Sequence, residues 1–145
     1  MELLLKLDIQ FFAGHIGTYD ARKVVTTVGG VFITGYADGT MVKASKDNDN
    51  FEASSSAQGD AVVSINGDGM GTIEITLNQT SPSIAVLDGL ANLRSMVPVW
   101  VNSNNEVKEV VGGTKAMVTK TSDKEFGKAA TNRVFTLKVF DYTVK

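Results

Sequence analysis

The chain has 145 residues, 43% apolar and 21% charged, with a formal net charge of -2, which is the profile of one globular domain and argues against general disorder. Its 14 Lys and Arg are spread among 16 Asp and Glu, so no basic stripe exists to grip phosphates, although a mildly acidic wall can surround DNA without holding it. The absence of cysteine removes disulfides, zinc–thiolate sites and thiol nucleophiles, and fits a protein made in a reducing cytosol.

In chain order, the first segment is MELLLKLDIQFFA. A secretory signal needs a basic start and an unbroken apolar stretch of about 7 to 15 residues, whereas Glu2 leads here and Lys6, Asp8 and Gln10 interrupt. It is also shorter than the roughly 20 apolar residues of a membrane span. Residues 1–17 therefore read as an arm that docks on a neighbour, with Phe11 and Phe12 as docking side chains, or as a leader outside the fold. The domain proper is expected over 18–145.

From Tyr19 onward the dominant period is two. KVVTTV and VFITGYA are β-branched and aromatic runs joined by Gly29-Gly30, a pair that suits a tight hairpin because both central positions need positive φ. The next stretch, GYADGTMVKASKDNDNFEASSSAQGD, is long and polar, and its centre alternates acids and amides as a calcium loop does. Counted from Asp47, however, Phe51 stands at position 5, Glu52 at position 6 and Gln58 at position 12, where that loop needs an oxygen ligand, a glycine and a glutamate. Long polar excursions inside compact domains tend to be functional, and Phe51 would be wasted on a purely solvated loop. Contact with another subunit is favoured over a plain mobile loop. GDGMG (67–71) lies between strand-like runs and not ahead of a helix, so it reads as a hairpin turn and not as a phosphate-binding glycine run.

In GTIEITLNQT, Ile73, Ile75 and Leu77 alternate with Thr72, Glu74, Thr76 and Asn78, giving one buried face and one wet or partnered face. SPSIAVLDGLANLRS (81–95) is the helix candidate: Ser81 can cap, Pro82 suits the first helical position, and Ile84, Leu87, Leu90 or Ala91, and Arg94 recur at helical spacing. Strands resume at VPVWV and EVKEVV around the turn NSNN, and a second double glycine, Gly112-Gly113, leads into TKAMVTKT. In NRVFTLKVFDYTVK, Phe135, Leu137 and Val139 face one way and Phe140, Tyr142 and Val144 the other, which predicts a strand covered on both sides, or a bulge. The sum is a mainly β domain of about seven or eight strands with one helix.

Catalytic residues are scarce. The single histidine, His15, lies outside the strand-rich body, which rules out a multi-histidine metal site or a histidine-centred triad within one chain. Acid pairs such as Asp47 and Asp49, or Asp68 and Glu74, are what turns of β proteins routinely collect. No enzyme activity, metal or cofactor is expected.

The order TYDARKVVTTVGGVFITGYADGTMVKASKDNDNF, a Gly-rich turn, then GTIEITLNQTSPSIAVLDGLANL and a strand-rich end resembles the tail tube proteins of bacteriophage contractile tails and of R-type bacteriocins. The resemblance runs from about Thr18 to Lys145 and is most specific at YADG with KDNDNF and at LNQTSPSIAVLDGLAN; KLDIQFFAG also resembles N-terminal stretches of structural proteins from phages of Gram-positive hosts. It implies a two-sheet β-sandwich or barrel with one flanking helix, self-assembled into hexameric rings that stack as a rigid tube inside a sheath. Partners would be further copies of itself, sheath, tape-measure and baseplate proteins, and DNA in passage, with no membrane anchor. The location would be the tail of a virion or bacteriocin particle, assembled in the host cytoplasm. The family's reaching loop maps to 43–58, with Lys43, Lys46, Asp47, Asp49, Phe51 and Glu52 as inter-subunit contacts. Thr72, Glu74, Thr76 and Asn78 become candidates for a water-filled lumen. The rival within the class is a tube-initiator or baseplate protein of the same fold. Outside it stands a carbohydrate-binding β-sandwich using Trp100 and Tyr36 as stacking platforms, though Trp100 in VPVWV suits core or interface burial better.

Overall fold

The computed structural model describes residues 16–145. It holds ten β-strands and one α-helix: β1 (Val24–Val28), β2 (Val31–Phe32), β3 (Val42–Lys46), β4 (Phe51–Ser55), β5 (Ala61–Ile65), β6 (Gly71–Asn78), α1 (Ser83–Leu93), β7 (Val97–Ser103), β8 (Glu109–Val118), β9 (Asn132–Val139) and β10 (Thr143–Val144). The fold is mainly β with one helix, as the periodicity predicts, and its strands form two sheets, as the resemblance implies.

The large sheet runs β2-β1-β7-β8-β9-β6-β3, with β10 beside β8, and every pairing is antiparallel. Its two end strands belong to one bent stretch of chain. Residues 31–33 hold β1, through Val28↔Val31 and a bond from Ile33 N to Thr26 O. Beyond the bend, Tyr36 bridges Leu77 and Val42–Lys46 pairs with β6. The same stretch thus grips both ends of the sheet, and the sheet curls into a barrel.

The barrel is filled by the alternation legible in β6: Ile73, Ile75 and Leu77 are fully buried, and register sets them against Leu137 and Phe135 of β9 and Val42 and Ala44 of β3. Val28, Val99 and Val139 belong to the same cluster. Helix α1 adds Leu87, fully buried in that core, while Arg94 is not on its apolar stripe but at its exposed C-terminus, in left-handed backbone at φ 53. Ser81 Oγ accepts from Ser83 N at 3.2 Å and donates to Thr34 O, which ties the start of the helix to the bent stretch.

Three expectations change. Gly29-Gly30 makes the tight hairpin, at φ 60 and 82, but Gly112-Gly113 lies inside β8. A Cβ on Gly112 would stand 2.0 Å from Val99 O, so the pair lets β8 come close beside β7 where the register slips between Val97 and Val99. The last segment is two strands and not one strand covered on both sides: β9 ends at Val139, the chain turns, and β10 pairs with β8. The reversal of the apolar face is this turn, and Phe140 and Val144 are exposed. GDGMG, finally, is not a hairpin turn. It is part of an irregular joint in a long ribbon.

Candidate assembly surface

Residues 43–58 are not a loop. Lys43 and Lys46 lie in β3, paired with Glu74 and Gly71 of β6, and Phe51 and Glu52 open β4. β3 and β4 on one limb, and β5 and β6 on the other, form a two-stranded ribbon that leaves the barrel and returns to it. Between the two paired sections the ladder breaks, and here the acid and amide run acts. Asp47 N donates to Met70 O at 3.1 Å and Asn66 N to Asn50 O at 2.8 Å, but most remaining links are made by side chains. Asn48 Nδ2 donates to Asp68 Oδ2 at 2.6 Å, and Asp68 Oδ1 accepts from Met70 N at 2.9 Å. Lys46 Nζ donates to Asn50 Oδ1. Asp47 accepts from Thr72 Oγ1 at 2.6 Å and forms an ion pair with Lys138 of β9. Asn and Asp bond readily to nearby backbone, so this composition replaces a ladder where strands turn away from one another. The run that mimics a calcium loop is a joint, and among the described residues no group of three or more His, Cys, Asp or Glu is placed to hold a metal.

Beyond the joint, β4 and β5 pair over five residues each and are closed by a turn in which Ser56 N donates to Asp60 O at 2.8 Å and Gly59 adopts φ 89. Every residue from Phe51 to Ile65 is exposed. Directly opposed residues share a face. The pairs Phe51↔Ile65, Ala53↔Val63 and Ser55↔Ala61 therefore form one almost wholly apolar face, while Glu52↔Ser64 and Ser54↔Val62 form a more polar one. An isolated two-stranded hairpin is marginal in water, and here Ile65 is 79% exposed and Phe51 52%. Of the expected contacts, Asp49, Phe51 and Glu52 are exposed at the start of this hairpin, whereas Asp47 is committed to the joint. The sequence reading passed over Ala53, Ala61, Val63 and Ile65. AVVSI between two turn-rich stretches was the available signal.

The expected lumen residues share one outward face of β6. Cross-strand neighbours there are Lys43 and Ser45 from β3 and Asn132, Val134, Thr136 and Lys138 from β9, so the strip carries both signs and not a net acidic wall. Phe11, Phe12 and His15 lie outside the described residues. The sugar-platform pair is not open: Lys145 Nζ sits 5.0 Å above the Trp100 ring, and Tyr36 packs against the core with its hydroxyl buried.

No known family profile matches the sequence, and no curated protein does. Among solved structures the chain is similar to the tube-terminating cap of the anti-feeding prophage, at 13% identity and a TM-score of 0.57, over 92% of this chain and 96% of that one. It is similar also to the sheath/tube terminator of the PVC extracellular contractile injection system, at 10% identity and a TM-score of 0.60, over 91% and 99%. A chain of the PVC sheath-tube complex in the extended state aligns at 10% identity and a TM-score of 0.58, over 88% and 91%. At these identities the likeness is one of fold, shared with these three chains of contractile injection particles.

Proposed function

We propose that this chain is a structural tail tube protein, whose copies join edge to edge into hexameric rings that stack as a hollow rigid tube inside a contractile sheath. The observation that carries the reading is the hairpin Phe51–Ile65, which turns an apolar face to solvent and receives no cover from its own barrel. Such a face is stable only against a partner, and a repeated head-to-tail contact of this kind between rings does not close, so it grows a filament. Lys43, Lys46, Asp49, Phe51 and Glu52 border or form this contact. The role is mechanical, with no bond chemistry. The tube conducts DNA or penetrates an envelope, in contact with sheath, tape-measure and baseplate proteins, in a virion or bacteriocin tail assembled in the host cytoplasm.

A second reading, a single ring that starts or ends the tube, is supported by the two terminators among the similar structures. Negative-stain microscopy of the purified protein over a range of concentrations separates the two. Long hollow tubes are expected; isolated rings favour the terminal component. A persistent monomer that binds glycan would support the carbohydrate-binding alternative and defeat both.

A further inference from the structure

The joint of the ribbon holds the chain's single Asn-Gly pair, Asn66-Gly67. Glycine leaves the peptide nitrogen that follows an asparagine unshielded, because it has no Cβ to stand between that nitrogen and the asparagine side chain. The fold keeps the pair ready to react. Asn66 N donates to Asn50 O at 2.8 Å, which fixes the asparagine backbone, and Asn66 Oδ1 accepts from Asp68 N at 3.0 Å, which folds the side chain back over Gly67. The same N–H is placed to stabilise negative charge that develops on Oδ1. Among the described residues no hydrogen bond ties up Gly67 N or Asn66 Nδ2, so neither the attacking nor the departing nitrogen has a bond to give up. Gly67 is exposed and Asn66 half-buried, so water and hydroxide reach the site.

We propose that Asn66-Gly67 is a site of spontaneous deamidation and backbone isomerisation. Hydroxide removes the Gly67 N–H proton, and the nitrogen attacks Asn66 Cγ, forming a C–N bond while an electron pair of the C=O bond moves to Oδ1. As that C=O bond re-forms, the Cγ–Nδ2 bond breaks and Nδ2 leaves as ammonia with a proton from water, giving a five-membered succinimide. Water then opens the ring at either carbonyl. Attack at Cγ gives aspartate, and attack at the backbone carbonyl gives isoaspartate, in which the main chain is lengthened by the side-chain methylene. Either product puts a carboxylate beside Asp68, whose own oxygens already accept from Asn48 Nδ2 and Met70 N. Isoaspartate also lengthens one limb of the ribbon at the joint between barrel and hairpin. The reaction takes place within one chain, so the inference stands apart from the assembly reading.

Purified protein held in mildly alkaline buffer should gain the mass of an amide-to-acid exchange, and peptide mapping should place aspartate and isoaspartate at position 66, with Asn48, Asn50 and Asn102 unchanged. The reaction should run no more than ~5-fold slower in the folded protein than in the same chain in urea. A larger slowing would show that the fold shields the pair, and modification spread over the other asparagines would show that position 66 is not singled out; either result overturns the proposal. Gly67→Ala separates the chemistry from folding, since a Cβ at position 67 meets nothing within 4 Å. This variant should keep the natural urea midpoint and react at least ~10-fold more slowly, a barrier higher by about 1.4 kcal/mol. An unchanged rate in the folded variant would also overturn the proposal.

Discussion

Asp141 sits in the turn between β9 and β10 and accepts bonds from Thr114 N at 3.0 Å, from the Thr114 hydroxyl and from Lys115 N at 2.9 Å, so one carboxylate pins that turn to β8. The Thr114 hydroxyl, followed by the backbone N–H groups, holds its pKa below the ordinary 3.8. Because the folded value is the lower one, the stabilisation is complete above the unfolded value and disappears as pH falls through the folded value. Asp141→Asn should therefore lower the urea midpoint near neutral pH, and its difference from the natural chain should narrow as pH drops below about 4. A difference that stays constant down to acid pH would mean that the charge plays no part. Tyr36 shows the opposite balance. Its hydroxyl and that of Thr26 are buried near one another without a hydrogen bond of good geometry, and burial pushes the phenol pKa up against the opposing influence of Thr26. An unpartnered buried hydroxyl costs free energy, so Tyr36→Phe should leave stability unchanged or raise it by up to ~1 kcal/mol in thermal unfolding.

At the scale of elements, glycine separates what a sequence reveals from what it hides. Gly29-Gly30 stands between two β-branched runs and makes the predicted hairpin. The same dipeptide at 112–113 lies inside β8, because its demand is set by the backbone of the adjacent strand β7 and not by neighbours in sequence. The two cases predict different costs. Gly30→Ala meets nothing within 4 Å and carries only the penalty of positive φ, about 1 to 2 kcal/mol. Gly112→Ala drives a Cβ into Val99 O and should cost at least ~3 kcal/mol, measured by denaturant unfolding. Near-equal losses would place the clash elsewhere. The strand β6 and the helix were legible because burial on one face writes a period into the residues. The hairpin β4–β5 was not, since neither of its faces is buried in its own chain: FEASS carries little apolar alternation, and the acid and amide joint before it resembles a loop in composition. A surface that its own chain leaves uncovered writes only a weak trace into intrachain periodicity, here Phe51 and the run AVVSI.

For the whole molecule, the barrel closes on its own core while the hairpin stays exposed, and this allows folding and the proposed assembly to be tested apart. The core closes through Phe135, Ile73, Ile75 and Leu77, none of which lies in the hairpin, and the ribbon is anchored at its joint by Asp47 to Thr72 and Lys138. Asp47 is thus a poor probe of assembly, because its loss would loosen the joint as well as any contact. Val63 and Ile65 are better: both are exposed, both lie on the apolar face, and neither touches the core cluster. Val63→Lys/Ile65→Lys should shift unfolding free energy by no more than ~0.5 kcal/mol per substitution, as for ordinary surface positions. Lysines on that face would have to be desolvated against the next copy, so tubes should be absent by microscopy and sedimentation should show only small species. Normal tubes from this variant would remove the hairpin from the contact. A variant that unfolds would instead show that the hairpin supports the barrel, contrary to its complete exposure.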